Sequence, residues 1–201
     1  MNHKKKIFID FDGVISDTNT LKEKNIKEAY KYVFGEYNID FVEFFTKNNG
    51  VPRELKLKQY FNSPVVEDKI LKKYFSLNKS LLDAKLSSGF LHYLKINNKS
   101  DFFILSGGDK TEIANFLKKN NIFHLFNEVL TGPKTKSENL SKFNISSKDI
   151  FIGDSKHDYV VAKEYSLNFI FMTEFSQESP PYSFVDKSVV LTKNFITLIN
   201  K

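Results

Sequence analysis

The sequence predicts an α/β fold, a parallel sheet built from βαβ units and interrupted after its first strand by a purely helical insert. Three observations predict it. Short apolar runs at 7–9, 101–105, 128–130, 149–152 and 169–172 alternate with stretches of helical period, the pattern of strands joined by crossover helices. Residues 17–85 instead repeat apolar side chains at three- and four-residue steps with no strand between them. Several of the apolar runs end directly in Asp, Ser or Gly, and in a parallel sheet the carboxyl ends of the strands are where ligands bind.

Each element has its own signal. Lys6 to Ile9 reads as a strand running into Asp10-Phe11-Asp12-Gly13. A helix carrying Leu21, Ile26, Ala29, Tyr30 and Val33 stops near Gly35, and a second runs from Ile39 to Lys47. A third begins after Pro52, and a fourth after Pro64 holds Ile70, Leu71, Tyr74 and Phe75. Pro just inside a helix start and Gly just past its end are ordinary punctuation. From Leu86 the pattern alternates: a helix at Phe90–Leu94, the strand 101–105 ending at Ser106-Gly107-Gly108, and a helix capped by Asp109. The strand 128–130 is followed by Thr135 and Glu138, which form a capping box for a helix through Leu140 and Phe143. The strand ending at Gly153-Asp154, a helix with Val160 to Ala162, the strand 169–172, a strand at 189–191 and a last short helix complete the chain. The expected organisation is a core of residues 1–15 and 86–201 with a helical cap at 16–85.

Composition narrows the function classes. At 201 residues the chain can bury a real core, and 41% hydrophobic with 27% charged residues is a soluble globular balance. There are no cysteines, which excludes thiolate catalysis and Cys-ligated metal. The net charge of +6 comes from scattered lysines, so it reads as a solvated surface that attracts anionic substrates rather than a nucleic-acid footprint. The apolar run after Lys4-Lys5-Lys6 is too short for a signal sequence, and no stretch approaches the ~20 apolar residues of a membrane span. A cytoplasmic protein with no nucleic-acid or membrane partner is expected.

The strand ends supply the parts of phosphoryl transfer. Asp10, at the end of the first strand, would be the nucleophile, and Asp12, on the turn, the general acid and later the base. Ser106 and Gly107 would present donors to phosphoryl oxygens. Lys134 and Lys136 are both candidates for the phosphate-binding lysine; Lys136 is favoured because it would open a helix. Asp154 would complete a Mg²⁺ site with Asp10 and the backbone carbonyl of Asp12, and Asp158 would orient a metal-bound water or hold the loop. Each piece alone is ordinary turn chemistry. Their order at successive strand ends is what makes them a set.

The set resembles the haloacid dehalogenase superfamily of phosphohydrolases. The resemblance rests on Asp10-Phe11-Asp12-Gly13-Val14, on Ser106 after an apolar strand, on a lysine in the third region, and on Gly153-Asp154 followed by Asp158. It implies a Rossmann-like core with a C1-type helical cap, as in phosphoglycolate phosphatase-like members. It also implies Mg²⁺-dependent hydrolysis of a small phosphorylated metabolite through an aspartyl-phosphate. The retained second acid, Asp12, favours ester hydrolysis over dehalogenation. The Lys-Pro-x-Pro pattern common in the third motif is missing. Arg53, in a Gly-Pro loop of the insert, could reach a second anionic or polar group of the substrate, and His157 is expected to be peripheral. Competing readings are a phosphosugar mutase of the β-phosphoglucomutase kind and a non-catalytic binding protein on the same scaffold.

Overall fold

In the computed structural model, which describes residues 4–48, 50–180 and 182–201, Lys6–Ile9 forms the central strand, β1. Its side chains alternate between two apolar faces, Ile7 and Ile9 on one and Phe8 on the other. Both faces are covered, so the strand is apolar throughout, as buried parallel strands are. The other strands are β2 (Asp101–Leu105), β3 (Glu128–Leu130), β4 (Ile150–Gly153), β5 (Asn168–Met172) and β6 (Val190–Thr192). All pair in parallel, in the order β3-β2-β1-β4-β5-β6. The strand order reverses between β1 and β4. That is the position at which an open α/β sheet forms a crevice beyond its carboxyl edge.

Register aligns the strand ends. Ile9 pairs with Ile104 and with Ile152, so Asp10, Ser106 and Asp154 emerge close to one level of the sheet. Asp10 N–H continues the ladder to the Ile152 carbonyl at 2.9 Å.

The helical insert comprises α1 (Asn19–Phe34), α2 (Ile39–Lys47), α3 (Arg53–Phe61) and α4 (Pro64–Leu77), followed by a short 3-10 helix at Asn78–Asp83. These helices bury their own apolar cluster, centred on Ile26, Phe41, Phe45, Leu57, Ile70 and Tyr74. Gly35 ends α1 in the left-handed region at φ 84°, where its N–H bonds back to the Lys31 carbonyl. The two chain segments joining insert and core run side by side: Asp17 N–H donates to the Lys85 carbonyl at 3.0 Å and Ser87 N–H to the Ile15 carbonyl at 2.9 Å.

In the core, α5 (Phe90–Ile96), α6 (Lys110–Lys119), α7 (Lys136–Leu140), α8 (Lys156–Glu164) and α9 (Phe195–Ile199) flank the sheet. Asp109 caps α6 and the Thr135–Glu138 box opens α7, both as expected from sequence. The sequence reading extended α7 too far. The helix stops at Leu140, and Phe143 turns in to pack against Phe8 and Phe103 at 5.2 and 5.0 Å. Aromatic burial on the sheet overrides the helical period there. Among the described residues no helix is long and apolar enough to cross a membrane. His3 and Asn49 lie outside the described residues.

Candidate active site

The site begins where β1 stops. Asp10 is buried, its Oδ1 accepting from the Phe11 N–H at 2.7 Å and its Oδ2 lying 2.9 Å from Lys136 Nζ. Burial pushes its carboxyl up to about 7, against the pull of Lys136 and with the repulsion of Asp158 and Asp12. Asp154, at the end of β4, is buried too and accepts from Asn19 Nδ2 at 3.1 Å. Burial, then the charges of Asp10 and Asp158, hold its pKa well above the usual carboxylate range. Gly13, at φ 78°, leaves the space that Asp154 needs, since a Cβ there would lie 2.0 Å from Asp154 Oδ2.

Asp12 has a different environment. Its Oδ1 accepts from Thr18 Oγ1 and lies against Lys22 Nζ, each at 2.5 Å. Burial works to raise its pKa, but Lys22 and Thr18 outweigh it and hold the carboxyl below its ordinary value. The two acids of the Asp10-Phe11-Asp12 turn are thus pushed in opposite directions.

Of the two candidate lysines, Lys136 enters the site and Lys134 is exposed to solvent. Lys136 opens α7, is fully buried, and bridges Asp10 to Asp158 Oδ1. The other oxygen of Asp158 accepts from Ser155 Oγ at 2.8 Å and from the Ser155 and Asp154 N–H groups. Both oxygens of Asp158 are therefore engaged in holding Lys136 and the loop after β4.

Ser106 is buried at the end of β2, its Oγ accepting from Gly108 N–H at 3.0 Å. Gly107 makes room for the insert, because a Cβ there would lie 2.3 Å from the Gly50 carbonyl oxygen. Gly50 also packs against His157, which is half-buried at the rim. Arg53 lines the same cavity but its guanidinium is committed, bonding Glu112 of α6 in a fork at 2.9 and 2.7 Å and lying 5.0 Å from the Tyr74 and Phe75 rings. A cavity of about 60 Å³ lies between insert and core, lined by Asp10, Asp12, Lys22, Lys56, Ser106 and Asp154 among others, and it adjoins a wider one of about 660 Å³ past Val51 and Ser155.

Asn19, Lys22 and Lys56 carry no motif and were not singled out from sequence. Lys22 lies one turn into α1, on the face that meets Asp12; only the placement of the insert over the sheet edge reveals it.

The donor set fits a hard divalent cation. Carboxylate oxygens of Asp10, Asp154 and Asp158 lie within 4.8 Å of one another, all three residues buried, with Lys136 the ammonium bonded to two of them. Burial and mutual repulsion raise the proton affinity of Asp10 and Asp154, the penalty that a cation would relieve. A sparse, all-oxygen set of this kind suits Mg²⁺, which keeps several waters and substrate oxygens.

The sequence matches the family model for haloacid dehalogenase-like hydrolases over residues 7–172. No curated protein matches the chain significantly. Among solved structures, the chain is similar to a haloacid dehalogenase-like family hydrolase from Streptococcus pneumoniae, with 18% identity, 100% of this chain and 99% of that chain covered, and TM-score 0.74. A predicted phosphoglycolate phosphatase from Haemophilus somnus shares 15% identity over 100% and 98% of the two chains, at TM-score 0.77. A hydrolase from Pseudomonas syringae shares 13% over 98% and 97%, also at TM-score 0.77. At such identities the likeness is one of fold.

Proposed function

This chain belongs to the haloacid dehalogenase-like hydrolase family, and from that premise we propose that it is a Mg²⁺-dependent phosphatase acting on a small phosphate monoester. The observation that carries the reading is the division of labour between Asp10 and Asp12. Asp10 is aimed by β1 and gripped by Lys136 and the Phe11 N–H. Asp12, two residues on, is held apart from it by Thr18 and Lys22. The naming of the Haemophilus somnus structure as a predicted phosphoglycolate phosphatase is in line with the same reaction class.

In the first step a carboxylate oxygen of Asp10 attacks phosphorus and the bond from phosphorus to the ester oxygen breaks. Asp12 protonates the departing oxygen. Water then attacks the phosphorylated Asp10, Asp12 takes a proton from that water, and phosphate leaves with the Asp10 carboxylate restored. The substrate's negative charge competes for Lys22, raising the proton affinity of Asp12 when the acid form is required. Lys136 and Ser106 meet the oxygens on phosphorus as charge redistributes. Asp10, Asp154 and the Asp12 carbonyl would hold Mg²⁺, with Asp158 behind them, and the ion would supply charge neutralisation between two anions. The insert, seated on Gly107 and tied to α6 by Arg53, excludes bulk water.

The test is a phosphate-release screen over sugar phosphates, phosphoglycolate, nucleotides and phosphorylated amino acids, with and without Mg²⁺. Mg²⁺-dependent release that disappears in Asp10→Asn, with the thermal midpoint preserved, is the expected result. An Asp10→Asn protein that still turns over at a near-normal rate removes Asp10 as nucleophile, and silence across the whole panel removes the phosphatase reading.

A further inference from the structure

The three acids grouped at the strand ends are not held alike. Asp10 and Asp158 share the Lys136 ammonium, whereas Asp154 has no cationic side chain bonded to it among the described residues. Among those residues one side chain hydrogen-bonds its carboxylate, the amide of Asn19. Asn19 Nδ2 donates to Asp154 Oδ2 at 3.1 Å and to the Phe175 carbonyl, also at 3.1 Å. That carbonyl can only accept, so it fixes which end of the amide faces Asp154. Asn19 is buried and is the first residue of α1, so it comes from the insert and from none of the four strand-end segments.

The surroundings are built around this pair. A Cβ on Gly13 would lie 2.0 Å from Asp154 Oδ2 and 2.5 Å from Asn19 Nδ2, so the turn after β1 leaves room for both groups at once. Two residues before Asn19, the Asp17 N–H donates to the Lys85 carbonyl, which fixes the start of α1 at the junction of insert and core. On the other side Ser176 Oγ donates to the Asp154 backbone carbonyl at 2.5 Å, so the segment after β5 holds the same residue. The start of α1 serves the site before it serves the helix: Thr18 makes no capping bond and gives its hydroxyl to Asp12.

The kind of donor matters as much as its place. Lys22 lies three residues along the same face of α1 and offers Asp12 an ammonium. Asn19 offers Asp154 a neutral amide. An amide orients a carboxylate and leaves its charge in place, whereas an ammonium would offset that charge and repel a divalent cation. A buried carboxylate kept without a cationic partner is costly until a cation arrives.

We propose that Asn19 is a positioning residue for the cation site, aiming Asp154 at a bound Mg²⁺ so that the first residue of the insert sets the metal affinity of the core. The inference rests on the reading of Asp10, Asp154 and Asp158 as the Mg²⁺ site. Removing a hydrogen bond that orients a ligating carboxylate weakens metal binding by about 10- to 100-fold.

The experiment measures cation binding without substrate. Free Mn²⁺ is counted by its EPR signal in titrations of the wild type, Asn19→Leu and Asn25→Ala, with Mg²⁺ as competitor. Leu keeps the volume of Asn19 and removes the donor. Asn25→Ala breaks a buried bond from α1 to Asn78 without touching Asp154, so it reports what loosening the insert does by itself. The expected result is Mn²⁺ and Mg²⁺ binding weakened about 10- to 100-fold in Asn19→Leu and unmoved in Asn25→Ala. The Mg²⁺ concentration that half-activates ester hydrolysis should rise by the same factor in Asn19→Leu. Unchanged affinity in Asn19→Leu, or equal weakening in Asn25→Ala, overturns the proposal. If the wild type binds the cations but hydrolyses no ester, the phosphatase reading falls and the binding comparison still decides the role of Asn19. A wild type that binds neither cation removes the site and the proposal with it. Should Asn19→Leu fail to fold, Asn19→Ala removes the same donor and decides.

Discussion

Lys22 Nζ lies 2.5 Å from Asp12 Oδ1, joining the first helix of the insert to the second acid of the β1 turn. Both side chains are largely buried, with exposures of 15% and 18%, so the pair is little screened by solvent. The proton affinity of Asp12 is therefore lowered by a group outside the sheet. Removing the ammonium as Lys22→Met should lower kcat by roughly tenfold or more, because Asp12 then loses the contact that orients it. Steady-state kinetics on an alkyl phosphate checks this; an unchanged kcat would mean that Lys22 only decorates the cavity wall.

Asp12→Asn should separate the two chemical steps. With p-nitrophenyl phosphate the leaving group needs no proton, so the first turnover should still release nitrophenolate. Activation of water in the second step is lost, and steady-state turnover should fall by about 10²- to 10⁴-fold, the usual contribution of general acid–base catalysis. A rapid burst approaching one nitrophenolate per chain, followed by a slow phase, is the expected trace. Loss of the burst together with turnover would assign Asp12 a role in the first step even for this leaving group.

Gly107 should be intolerant of any side chain. A Cβ there would meet the Gly50 carbonyl at 2.3 Å, a backbone atom that cannot rotate away. Gly107→Ala should therefore push the insert loop off the sheet edge by a fraction of an ångström to an ångström. Misplacement on that scale costs up to about 10²-fold in kcat/KM. The thermal midpoint should move little, since the contact lies at the rim of the cavity and leaves the three apolar clusters intact. Activity and melting curves on the same preparation distinguish the two effects.

The Arg53–Glu112 fork ties α3 to α6 with side-chain exposures of 5% and 16%. Glu112→Ala strands the guanidinium and also removes the acceptor for Asn78 Nδ2 at 2.9 Å. The loss should be about 3 kcal/mol, the low end for breaking a buried pair from one side. The double variant Arg53→Met with Glu112→Leu should recover much of it, because the stranded charge is then gone. Urea unfolding of the three proteins tests the comparison. If the double variant is no better than Glu112→Ala, the pair contributes through packing and not through charge.

What could be read from sequence and what could not divides along the chain's topology. Asp10, Ser106, Lys136 and Asp154 follow strands whose apolar runs are unmistakable, and a parallel sheet carries all such ends to one edge. Local chemistry placed Asp10, Ser106 and Asp154 at that edge and left Lys134 and Lys136 both open, the capping box favouring Lys136 at the first position of α7; burial in the fold is what separates the two. Lys22, Lys56 and Asn19 sit on amphipathic helices whose polar faces look alike in sequence. Which of those faces covers the sheet edge is decided by tertiary packing. The same limit applies to Arg53: its loop marked it as able to reach the site, but its partner Glu112 is 59 residues away on a core helix. Phe143 shows the converse, a residue of helical period taken out of the helix by the aromatic surface of the sheet.

Away from the site, Asp149 should control acid stability. It precedes β4 with its side chain fully buried. Its oxygens accept from the Lys6 N–H at 2.8 Å, the Ser146 N–H at 2.9 Å and Lys6 Nζ at 3.3 Å. Burial alone would raise its pKa, but the two backbone donors and the Lys6 ammonium favour the charged form and leave the pKa below its ordinary value. A carboxyl whose folded pKa is depressed stabilises the fold above its unfolded value, near 3.9, and loses that contribution as pH falls through the folded value. Asp149→Ala should therefore cost about 3 kcal/mol at pH 7, since it leaves two buried backbone N–H groups unpaired. Asp149→Asn isolates the charge: its deficit relative to wild type should be full at pH 6 and should shrink as the pH drops from 4 toward 2. Urea midpoints across that range measure it. A deficit that stays constant with pH would show that shape and hydrogen bonding at this position matter and that its ionisation does not.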